Sequence, residues 1–163
     1  MSGIINSAGS RSGVIGTTEL DYEEGAWTPT VIGATSGSLN LNYVVGTYVK
    51  IGKLVHVNAK FSVTSNNSLV GQIKIDALPF ASQAAYDAGM TWGSVDGLMA
   101  MAGYQMTGNM VASDNVIGLR KNAVIAGGDV ASMVLGDINH DGNTTYGPGT
   151  RWNPQFSFTY EVA

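Results

Sequence analysis

The sequence has no cysteine, two histidines and four prolines in 163 residues. Without cysteine there is no disulfide framework, no zinc cluster built on thiolates and no thiol nucleophile. Charge is scarce too: Asp, Glu, Lys and Arg make up 12% of the chain, against about 25% in an ordinary soluble domain. The eight basic residues are scattered and the net charge is −4. A phosphate-neutralising patch is therefore missing, and no nucleic-acid partner is expected. No apolar run approaches the roughly 18 residues of a spanning helix, so no membrane insertion is expected. The opening stretch MSGIINSAGSRSGVIG lacks the apolar core of a secretory signal, so neither export nor an exported β-barrel is expected.

Glycine is plentiful, at 22 residues, and 44% of the chain is hydrophobic. Hydrophobic residues without the usual surface charge suggest that part of the surface is covered by partners. A chain of this size suits one domain. Residues 1–20 stand apart, rich in Gly and Ser, with two apolar pairs, Ile4-Ile5 and Val14-Ile15. Such a segment buries too little by itself to offset its ordering entropy. It reads as a disordered tail or, better given the regular spacing of the pairs, as an extended arm that orders against a partner. Residues 21–163 form the folded domain.

There the pattern is β. In LVHVNAKFSV, Val55, Val57, Ala59, Phe61 and Val63 alternate with His56, Asn58, Lys60 and Ser62, the mark of a strand with one dry and one wet face. The preceding YVVGTYVKI joins it through a short turn at Gly52-Lys53. Ile73, Ile75 and Ala77 alternate before Pro79, and Phe156, Phe158, Tyr160 and Val162 alternate at the end. Weaker strands are expected near residues 98–106, 115–120 and 132–138, and a short helix over residues 82–89. The predicted fold is all-β: an antiparallel sandwich or jelly roll of about seven to nine strands.

LMAMAGYQM is apolar on both faces. It reads either as a doubly buried central strand or as a strand packed on another subunit, with Met99 and Met101 in the interface.

Chemistry-bearing motifs are few. There is no GxSxG elbow, phosphate loop or dinucleotide fingerprint, and His56 lies on a polar strand face. Glu23 and Glu24 resemble half of a glycosidase carboxylate pair, but neighbours on an extended chain point to opposite sides. The alternative makes them the joint between arm and domain, where Gly25 lets the chain turn, Trp27 starts the first strand and Pro29 suits an edge strand. Asp137, Asn139, Asp141 and Gly142 match the opening of a calcium loop. Its closing position holds Pro148 instead of Glu, and an Asx-rich turn accounts for the same residues. Trp27, Trp92 and Trp152 with Tyr104 and Tyr146 read as a carbohydrate platform or, better, as core and interface aromatics. No catalytic residue, metal or cofactor is expected.

The segments ELDYEEGAWTPTVIG, GTYVKIGKLVHVNAKFSV and IKIDALPF, in that order, resemble a recurrent module of tailed-bacteriophage virion proteins. The blocks cover residues 3–33, 46–63 and 72–80, and the FTYEV ending fits the same pattern. The resemblance implies a trimeric β-sandwich on the virion surface, in a tail fibre, spike or capsid decoration, and does not imply an enzyme; assembly in the host cytoplasm with other virion proteins is expected. Members often carry a long stalk before this module. With only about twenty residues before it, this chain is expected to be a small knob held by its arm. A host-glycan-binding tip is the alternative.

Overall fold

Apolar–polar alternation runs longest just after Gly52-Lys53, and the sheet is built outwards from there. The structure is a computed structural model; it describes residues 21–84, 87–96, 104–110, 112–123, 130–132, 134 and 152–162. Two long strands, β3 (Ser36–Ile51) and β4 (Leu54–Val70), form an antiparallel hairpin. Gly52 turns the corner with a φ of 57°, a conformation that costs glycine little. The turn is tied down on both sides: the Gly52 amide donates to the Asp21 carbonyl, and the Val162 amide donates to the Lys53 carbonyl.

Before the hairpin come β1 (Tyr22–Trp27) and β2 (Thr30–Gly33); after it come β5 (Ile73–Asp76), β6 (Asp87–Ala88), β7 (Thr91–Asp96), β8 (Tyr104–Met110), β9 (Ile117–Ala123), β10 (Val130–Ser132) and β11 (Asn153–Glu161). All eleven join one antiparallel sheet in the order β6-β8-β9-β5-β2-β3-β4-β11-β7, with β1 added to β3 and β10 to β9. The end strands β6 and β7 are only Gly89 and Met90 apart in the chain. The sheet must therefore curl until its ends approach, and its inner face closes around one core. The all-β expectation holds in this curled, sandwich-like form, with more strands than expected because several have only two to four residues.

The core follows the alternation. Val55, Val57, Ala59, Phe61 and Val63 of β4 are buried, as are Phe156, Phe158 and Tyr160 of β11. Phe61 meets Trp152 edge-on at 5.5 Å between ring centroids and Phe156 at 6.2 Å. From across the core come Val31, Ile73, Ile75, Met106, Met110, Ile117 and Leu119. The Tyr160 hydroxyl donates to the Phe80 carbonyl and accepts from the Phe80 amide, so a core ring also holds the loop after β5.

Several local expectations are corrected. No helix forms among residues 82–84 and 87–89, because the main chain there bonds to other segments: Ser82 pairs with Val162, and the Gln83 amide donates to the Glu161 carbonyl. Trp27 ends its strand instead of starting it. Pro29, lacking an N–H, lies between β1 and β2, not on an edge strand. Gly25 is within β1 and makes no turn. Its missing Cβ leaves room for the Tyr48 ring, whose nearest atoms would lie 2.8–2.9 Å from a Cβ there. The second weak strand overlaps β9 at residues 117–120; of the third, residue 132 ends β10, residue 134 is in no strand, and residues 133 and 135–138 lie outside the described residues. Of the first, only its C-terminal part falls in the described β8. Ile4, Ile5, Val14, Ile15, Met99 and Met101 lie outside the described residues.

Adjacent residues of β4 should behave in opposite ways. Phe61→Ala empties a site against two aromatic rings and is expected to cost about 3–5 kcal/mol, whereas Lys60→Ala on the wet face should stay within about 0.5 kcal/mol. Urea melts of the two variants measure both; similar losses would mean that the register assigned to β4 is wrong.

Candidate functional site

The carboxylates singled out in the sequence lie in β1, which pairs with the second half of β3: Glu23 opposite Lys50, and Glu24 opposite Val49. They are part of the β1–β3 ladder. Strand geometry sends them to opposite faces, and each accepts a phenol hydrogen bond. Tyr48 donates to Glu23 at 2.6 Å, and Tyr22 donates to Glu24 at 2.5 Å. Both phenols are held above the usual tyrosine value of 10.0, chiefly by that hydrogen bond, with desolvation and the carboxylate's charge adding to it. Beside them Lys50 pairs with Asp21 and lies 5.7 Å above the Phe80 ring. The two glutamates thus serve separate contacts and cannot bracket one substrate bond.

The remaining candidates scatter. His56 bonds across the sheet to the Thr159 hydroxyl at 3.0 Å, on the exposed face of the sheet. Trp27 lies across Gly46 and reaches the Thr47 and Asn58 carbonyls through its indole N–H. Trp152 is fully buried against Phe61, and Trp92 packs on Phe156 at 5.2 Å. The indole nitrogens of Trp92 and Trp152 have no hydrogen-bond partner among the described residues. All three tryptophans are therefore packing residues, not a sugar platform. The side chain of Tyr104 is not described, and Tyr146 and the stretch with Asp137, Asn139, Asp141, Gly142 and Pro148 lie outside the described residues. Among the described residues no three His, Asp or Glu side chains gather at one point.

One site escaped the sequence reading. Because the β1 pairing stops at Gly46 and β2 pairs only with Ser38 and Leu39, the edge of β3 between Leu39 and Gly46 has no strand alongside it among the described residues. An open groove of about 430 Å³ lies at this notch, lined by residues 29–32, 38–41 and Val44. Within the same stretch β3 bulges. Asn42 pairs with Ser62 and Val45 with Lys60, so Tyr43 and Val44 together face one residue, Phe61. Val44 packs toward the core, while Tyr43 is 75% exposed with a φ of 51°.

A bulky residue in that left-handed region costs about 1–3 kcal/mol. The Asn42 carboxamide oxygen accepts the Tyr43 amide and supports the conformation. Asp76 does the same for Ala77, whose φ is 63°. Asn40 completes the rim, donating to Ser65 at 2.7 Å. The only sequence signal was the lapse of alternation in LNLNYVVG, where Leu39 and Leu41 are followed by an inward residue three places on instead of two.

No protein-family model matches the chain, and no curated protein matches it in sequence. Among solved structures it is similar to the crystal structure of the Dettilon tailspike protein (gp208), with a TM-score of 0.61 and 16% identity. The match covers 86% of this chain and 23% of the tailspike chain, so this chain spans under a quarter of that protein. The likeness is one of fold.

The phenol–carboxylate pairs predict an alkaline dependence. A phenol that holds its proton more tightly when folded adds stability that is fully present below pH about 10 and is lost as pH rises through the folded value. Glu23→Gln should move the Tyr48 ionisation down toward the ordinary value, read as phenolate absorbance. It should also flatten the fall in melting temperature above pH about 10. An unchanged titration would show that the Tyr48–Glu23 bond does not persist in solution.

Proposed function

We propose that this chain is a structural protein on the virion surface of a tailed bacteriophage: a small knob, spike, decoration or fibre-like component. In this reading it is a homotrimer fixed to other virion proteins through residues 1–20, with Ile4, Ile5, Val14 and Ile15 as anchoring side chains and Met99 and Met101 between subunits. It has no catalytic role. The observation that carries the proposal is the fold shared with a tailspike over 86% of the chain; the ordered sequence blocks resembling phage virion modules support it independently.

The outer face of the sheet supports self-association. Cross-strand register places Tyr22, Ile51 and Leu54 in one row across β1, β3 and β4, followed by Glu161 on β11. These three apolar side chains are about half exposed. A contiguous apolar row on a weakly charged surface is the kind of feature that partner copies cover.

Light scattering of the full chain should give three times its 17.0 kDa, and the measured mass should stay three times that of the shortened chain when residues 1–20 are removed. In a phage carrying a deletion of the gene, the full chain should be incorporated into virions and be visible by antibody labelling in electron micrographs, and the shortened one should not. A monomer would overturn the trimer, and normal incorporation of the shortened form would overturn the anchor.

A further inference from the structure

We propose that the trimer is held by strand exchange: β1 of each copy completes the β3 edge of the next copy instead of its own. The inference deepens the proposed homotrimer and rests on it for the number of copies.

The first observation is that β1 is attached to one neighbour. Among the described residues it pairs with β3, from Tyr22 opposite Ile51 to Trp27 opposite Gly46, and with no other strand. Yet it carries a full set of anchors. The Trp27 indole is buried over Gly46 and donates to the Thr47 and Asn58 carbonyls. Tyr48 donates to Glu23, and Lys50 pairs with Asp21. A strand with a buried tryptophan, a backbone ladder and a flanking ion pair has the make-up of a binding segment. All these bonds join β1 to residues between Gly46 and Asn58. A β1 arriving from another copy makes every one of them.

The second observation is the connection. β1 and β2 lie on the same edge of β3, with only Thr28 and Pro29 between them. From Trp27 to Val31 is four steps, whereas their partners Gly46 and Leu39 are seven apart. Four extended residues reach about 14 Å, and seven residues of regular strand span about 23 Å. Both strands fit on one chain's edge because β3 is shortened between them, where it bulges at Tyr43 and Val44 with a Tyr43 φ of 51°. The connection has no slack, and short hinges of this kind invite exchange. In the exchanged trimer the two strands on one edge belong to different copies. The hinge then sets the subunit junction near Thr28, which is exposed and in no strand, and the placement of whole subunits takes up the mismatch.

The third observation is the match to three-fold symmetry. A closed three-fold ring needs two different, complementary surfaces on each copy. A donated strand and an accepting edge are such a pair, and each copy has one of each. Exchange also carries the apolar row of Tyr22, Ile51 and Leu54 across the subunit boundary, with Tyr22 supplied by the neighbour.

The chain has no cysteine, so one introduced pair reports the arrangement. Ala26 lies opposite Thr47 in the β1–β3 ladder and both are exposed, a spacing that a disulfide bridges. The full chain carrying Ala26→Cys and Thr47→Cys is weighed by light scattering, treated with oxidised glutathione and run on a denaturing gel without reductant. The disulfide should close between chains, giving a covalent trimer of three times 17.0 kDa that reductant returns to single chains. A disulfide closed within chains of single mass would overturn the exchange. So would the absence of any disulfide, since β1 would then lie on neither edge. Glu24→Cys with Val49→Cys, a second pair of the same ladder, repeats the measurement if the first variant folds poorly. A trimeric mass with disulfides inside each chain refutes the exchange and leaves the trimer standing, whereas a monomeric mass refutes the trimer itself.

Discussion

The fold depends on the register of the β3–β4 hairpin. Thirteen residue pairs join the two strands, and the dry face of β4 supplies Val55, Val57, Ala59, Phe61 and Val63 to the core. Side chains alternate with a period of two, so a slip by one residue would turn all five outwards. The Gly52-Lys53 turn sets the register at Ile51 opposite Leu54, and bonds to Asp21 and Val162 hold the turn in place. β1 and β11 then add to opposite sides of this pair. Once β11 is in register, its aromatic residues complete the packing around Phe61.

The long hairpin does not remain regular. Its ladder shifts at three points along β3, each of which bends the sheet and helps it curl. The same irregularity has a local consequence. Pro29 interrupts pairing on one side of β3, and the bulge at Tyr43 and Val44 interrupts it on the other. Together they leave a groove, an edge with no partner strand among the described residues and an exposed aromatic residue within a few positions along β3. Strand β1, by contrast, is regular, and its ionic and phenolic contacts are structural: Asp21 with Lys50, Glu23 with Tyr48, Glu24 with Tyr22.

Glycine serves two purposes in this sheet. Gly52 supplies a backbone conformation. Gly25 and Gly46 supply space, the first for the Tyr48 ring and the second for the Trp27 indole. These two aromatic residues cover glycines across the same strand pair, Gly25 opposite Tyr48 and Trp27 opposite Gly46. The conspicuous EEGAW stretch is thereby explained by packing, with no chemistry required of it.

The sequence alone determined what is local and periodic: the all-β class, the dry faces of β4, β5 and β11, and the turn at Gly52-Lys53. Each follows from side-chain alternation or from the backbone freedom of one residue, and both are properties of a short segment. It also indicated that Glu23 and Glu24 diverge, since that follows from extended geometry. Only the tertiary structure decided that Trp27 ends a strand, that Pro29 opens a notch and that residues 82–84 spend their hydrogen bonds on distant segments, because each depends on which strand lies alongside. Tyr43 is the clearest case. Its strain and exposure arise from a mismatch in length between two paired strands, and that quantity does not exist until the strands have met.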